Sequence, residues 1–214
     1  MKIFLSIILS LLFLSGSYAD DKYEQTMKKS LDKMGKCKSA EDYVNVANNF
    51  ERIALAEKDK WLPYYYSSLN YVIASFIDTG STKKDTYLDK ADQLAGMADS
   101  IEQNNSEIYT LKGMTAQARM SVDPMNRWQK YGAEADRDFK QAIAIDSLNP
   151  RPEYLIGVGV FHTPEQFGGG PANAKPILEK SLAKFEAFKP ENDLMPHWGK
   201  EEVEQLLKQA DGQN

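Results

Sequence analysis

Histidine occurs only twice in these 214 residues and cysteine only once. Cys37 has no second thiol to pair with, so an intramolecular disulfide is excluded. His162 and His197 form no HExxH, and cysteine clusters are missing, which removes the usual zinc spacings. A metal shared by His162 and Glu165 is the weaker alternative to a plain loop histidine. GxSxG and GxGxxG do not occur. The three consecutive glycines Gly168–Gly170 lead into Pro171-Ala172 rather than the Lys-Ser/Thr that a phosphate-binding loop needs. Positive charge is in the minority, 26 Lys+Arg against 31 Asp+Glu. That balance argues against nucleic acid and anionic membrane surfaces as partners. Glu201, Glu202 and Glu204 read as a solvated helix face. No catalytic residue, metal site or cofactor is assigned, and no enzyme is expected.

Alternating runs of valine, isoleucine and threonine are also missing, so strands are not expected. The longest apolar run is Ile3 to Leu14, after Lys2 and before Ser15-Gly16-Ser17-Tyr18-Ala19. This is the pattern of a secretory signal peptide cut after Ala19. A spanning helix would need ~20 apolar residues. No cysteine follows the run to carry a lipid. Loss of residues 1–19 removes one lysine and no carboxylate, leaving a net charge of −6. The expected location is the periplasm or cell envelope, with no transmembrane segment left. Cys37 lies between Lys36 and Lys38, which could activate its thiol. A tolerated cysteine near a helix end is the preferred reading.

What the chain does contain is a repeat. Pairs of small residues seven apart recur as Ala47/Ala54, Ala91/Ala98, Ala135/Ala142 and Ala174/Ser181. Seven residues are two helical turns, so each pair lies on one face and lets a neighbouring helix approach. The pairs are separated by 44, 44 and 39 residues. A second set of helices precedes the last three pairs, with Asn70, Gly113 and Gly157 at matching sites. The unit is a helical hairpin that must stack to bury its apolar face.

Ala135-x3-Phe139-x2-Ala142-Ile143, ending in Asp146 and Asn149-Pro150, resembles the second helix of a tetratricopeptide repeat. Tyr109-x3-Gly113-x2-Ala116 and Leu155-Ile156-Gly157 are similar to its first helix. Lys112 stands where that family usually has leucine, and each unit exceeds its ~34 residues. The excess is expected in longer helices or in connections such as Ile77–Asp85 and Ser121–Arg127. HEAT-type repeats are the alternative architecture. The resemblance implies an all-α, right-handed α-solenoid of about three hairpins plus flanking helices. The boundaries are 1–19 signal peptide, 20–38 leading helix or flexible segment, 39–190 repeat domain, and 191–214 capping helix and tail. Leu206 and Leu207 would face inward in the cap. The segment Thr163-Pro164-x2-Phe167-Gly168-Gly169 resembles exported repeat proteins of Bacteroidetes-type bacteria.

Within that resemblance, Tyr64, Tyr71, Glu107, Thr110, Met114, Gln117, Arg151, Tyr154 and Phe161 match sites that line a concave groove, and Tyr66 matches a buried one. The groove would bind a protein or peptide of the cell envelope. The alternative is a small-molecule-binding or transporter-associated periplasmic subunit with an enclosed pocket. The three glycines read first as a corner between two helices, with an anion or partner contact as the alternative.

Overall fold

A computed structural model describes residues 20–212, and the expected signal peptide lies outside them. The described residues are helical and contain no strand. Helix α1 covers residues 20–34. It is followed by α2 (Ala40–Ala56), α3 (Trp61–Ile77), α4 (Ser81–Ile101), α5 (Ser106–Val122) and α6 (Pro124–Ile145). Then come α7 (Arg151–His162), a single 3-10 turn (Glu165–Phe167), α8 (Pro171–Ala187) and α9 (Lys200–Ala210). Among the described residues no helix is long and apolar enough to cross a membrane.

Local sequence explains the helix starts. Ser39 caps α2 in a reciprocal box with Asp42, and Asn105 accepts from two backbone amides at the start of α5. Pro124, Pro152 and Pro171 occupy first-turn positions, where a missing N–H costs little.

Neighbours in sequence pack as hairpins: α3 with α4, α5 with α6, α7 with α8. Helices α3, α5 and α7 also touch in series, so they share one face. The 44-residue register is visible in the packing. All eight small residues of the four pairs are buried, with Ala135 the most exposed at 5%. A Cβ on Gly113 would sit 2.5 Å from the Phe139 ring, and one on Gly157 would sit 2.5 Å from Leu178. The two hairpins thus use the same close crossing, with a bulky residue on the second helix filling the space over glycine. Side chains tie the layers further: Ser106 Oγ donates to the Ala142 carbonyl, and Ser181 Oγ to that of Pro150, both at 2.9 Å.

Two expectations offered alternatives, and in each the helical one is seen. The extra length sits in helices, not connections. Helix α4 already begins at Ser81, and only Asp123 separates α5 from α6. The residues between 20 and 34 form a packed helix: Met27 is fully buried and Ser30 nearly so. At the other end α9 starts at Lys200 and packs on α8, with Val203 fully buried and Leu206 and Leu207 half-buried. Trp198 lies outside it.

Candidate functional site

The face shared by α3, α5 and α7 is where the groove was expected, and it is covered. Residues 188–199, irregular in backbone, run from the end of α8 across this face toward α1. Tyr66 donates to the Leu194 carbonyl at 2.8 Å. Arg151 Nη2 donates to the Pro196 carbonyl. Trp198 Nε1 donates to the Tyr65 hydroxyl at 3.0 Å. Asp193 reaches Lys28 of α1 at 3.3 Å. The chain's own strap therefore fills the place in which a foreign peptide would lie.

Beneath the strap is a buried ionic centre. Arg151 and Glu107 are 44 residues apart, one repeat, and so occupy equivalent positions at the starts of α7 and α5. Arg151 is fully buried and Glu107 is 7% exposed. Their ion pair closes at 2.8 Å. The Tyr65 hydroxyl donates to the other Glu107 oxygen at 3.3 Å. The guanidinium lies 4.9 Å from the Phe188 ring centroid and 5.3 Å from that of Trp198. Burial raises the Glu107 carboxyl above its usual range, while Arg151 and the hydrogen bonds pull it back. Burial also drives the Tyr65 phenol well above its ordinary value. These groups are occupied with one another and hold the strap.

The other expected groove residues are spread over different tasks. Tyr64 is 7% exposed. Tyr66, at 2%, is buried. Tyr71 turns toward α2 and donates to Asn48 Oδ1 at 2.9 Å. Thr110 is buried and donates to the Ser106 carbonyl of its own helix. Gln117 bridges α5 to α7 through the Leu155 carbonyl at 2.9 Å. Met114 is half-buried. Tyr154 is half-buried and meets Trp198 edge-on at 6.2 Å, and Phe161 stacks edge-on with exposed His162. Arg151 and Glu107 are thus interior groups, not an exposed binding pair. The physical reason is the strap, which removes them from water.

The glycine corner is a built turn. Gly168 and Gly170 hold φ of +84° and +93°, which favours glycine. Gly169 has an ordinary φ, but a Cβ there would lie 2.1 Å from the Thr163 carbonyl oxygen. The amides of Gly169 and Gly170 donate to the Pro164 and Val160 carbonyls and are not presented to an anion. Cys37 is half-buried and its thiol is held above its usual value, first by burial and then by Asp42. It is a neutral thiol donating to the Lys33 carbonyl.

Two open clefts flank Tyr23 of α1, and no sequence signal had marked them. One, about 370 Å3, lies among α1, the start of α3 and the strap around Asp193. The other, about 400 Å3, lies between α1 and α2. Both fall in the size range of small-molecule sites.

No protein-family model matches the chain, and no curated protein matches it. Among solved structures it is similar to the HusA haemophore from Porphyromonas gingivalis, with 32% identity and a TM-score of 0.79. The match covers 90% of this chain and 94% of that one.

Proposed function

Because the chain belongs to the same family as that haemophore, we propose that it is an exported haem-binding protein, a carrier rather than an enzyme. The observation that carries this reading is the extent of the match: 32% identity along nearly the full length of both chains. The covered face supports it. An extended peptide would need the place that residues 188–199 occupy, whereas a compact ligand needs only a cleft. This replaces an envelope peptide with a small cargo and keeps the expected location. Stacked hairpins with a shared 44-residue register also support a tetratricopeptide-like solenoid as the architecture.

A second reading, docking of another envelope protein, has one observation in its favour. Met125 and Trp128, about one turn apart on α6, are 85% and 58% exposed.

Haem uptake is tested by titrating haemin into the chain from Asp20 onward, following the Soret band and tryptophan fluorescence. The expected result is a saturable spectral change and a complex that stays together through gel filtration. A Soret band identical to free haemin at every protein concentration in the micromolar range refutes the reading.

A further inference from the structure

Resting on the haem reading, we infer that the cleft between α1 and α2 is the site that holds the two carboxylates of the porphyrin, with Lys29, Lys33 and Arg52 as the anion contacts. The cleft has two facing walls. On α1, Lys22, Thr26, Lys29, Ser30 and Lys33 follow at helical spacing along one face. On α2, Asn49, Arg52, Ile53 and Ala56 do the same. Tyr23 and exposed Ala56 supply the accessible apolar surface, above Ile53, which is buried beneath them. An apolar floor under a cationic rim matches a flat, hydrophobic ring that carries acidic groups at one edge.

Charge on the two helices is sorted. Two carboxylates near this cleft are engaged elsewhere: Glu24 pairs with Lys28 at 2.7 Å, and Glu51 with Lys90 at 2.6 Å. Among the described residues no carboxylate comes within ion-pair distance of Lys22, Lys29, Lys33 or Arg52. The Arg52 guanidinium donates only to Asn49, on its own helix. Glu57, at the end of the cleft, is the single acidic residue that lines it. The neighbouring cleft has the opposite sign. Asp20, Glu24, Asp59 and Asp193 line it against Lys60 alone. In a chain with net charge −5, a dianion is repelled from that cleft and attracted to the basic one.

Tyr23 stands between the two. Burial first, then Glu57, Asp59 and Asp20, push its phenol up to about 12. Like an ordinary phenol it is neutral at neutral pH, so it offers the cleft an uncharged ring and adds no negative charge facing the carboxylates.

The test compares haemin with its dimethyl ester, in which both carboxylates are masked. Three proteins are titrated: wild type, Lys29→Glu/Lys33→Glu/Arg52→Glu, and a control with the same charge change on other helices, Lys83→Glu/Lys84→Glu/Lys130→Glu. Circular dichroism verifies that each is folded. Three exposed contacts, lost and replaced by repulsion, correspond to a loss of haemin affinity of about tenfold or more. The control should bind as wild type, and the ester should bind wild type and the cleft variant alike. Equal haemin affinity in the cleft variant and wild type overturns the site while the haem reading stands. An equal loss for haemin and ester shows that the cleft does not read carboxylates, which also overturns it. A wild-type protein that takes up no haemin overturns the haem reading itself, before any variant is compared.

Discussion

Arg151→Met removes the cation from the centre that pins the strap, and its effect follows from the burial. The guanidinium is fully buried and 2.8 Å from Glu107, itself 7% exposed. Removing one partner of a buried pair leaves the other uncompensated and costs ~3–5 kcal/mol. Contacts over Phe188 and Trp198 are lost as well, although methionine refills part of the volume. Against a typical domain stability of ~5–15 kcal/mol this is a large fraction. The loss should depend on pH. Burial already raises the Glu107 carboxyl, and without Arg151 the largest opposing influence is gone, leaving only hydrogen bonds such as that from Tyr65. A carboxyl raised in the folded state favours folding below its unfolded value, and that advantage disappears as pH rises through the folded value. The variant should therefore lose less at pH 5 than at pH 8. Arg151→Met with Glu107→Met should recover most of the loss, since a buried pair replaced by apolar residues is often neutral. Urea unfolding followed by circular dichroism at both pH values is the assay. Limited proteolysis with a glutamate-specific protease at exposed Glu191 adds a direct report on the strap. A loss under ~1 kcal/mol at pH 8, or an equal loss at both pH values with no recovery in the double variant, refutes the reasoning.

Ala98→Leu and Ala142→Leu, each at a fully buried site, should cost ~1–3 kcal/mol by overpacking, while Ala210→Leu, near the end of α9, should cost much less. Equal urea midpoints for all three would show that the 44-residue register is not a packing register. Gly169→Ala should destabilise more than Gly168→Ala. The first forces a Cβ to 2.1 Å from a carbonyl oxygen, while the second meets open space and only a strained φ, worth about 1 kcal/mol. The reverse order in thermal melts would refute this account of the corner.

The repeat was legible because its signal is local and redundant. Ala91/Ala98 and Ala135/Ala142 mark two turns of one face each, and Gly113 and Gly157 mark the facing helix. Helix α1 was harder to read, since Met27 is its one fully buried apolar residue among many charges. Its basic face at Lys22, Lys29 and Lys33 has helical spacing, yet spacing alone cannot say that a second helix lies opposite. The strap left no periodic mark at all. Its contacts join Tyr66 to Leu194 and Tyr65 to Trp198, 128 and 133 residues apart. Arg151 and Glu107 matched groove sites because they hold equivalent repeat positions. Only the cover of residues 188–199 makes them interior.

Hairpins in series normally touch only their neighbours, and such arrays can melt piecewise from either end. Here residues 188–199 tie α1 and α3 to the last hairpin. That closure couples both termini into one cooperative unit. It also has a kinetic side. Contacts so distant in sequence form only after a long loop has been closed, which is entropically slow. The hairpins can therefore assemble first, with docking of the strap as the late step that turns a fraying row into an all-or-none fold.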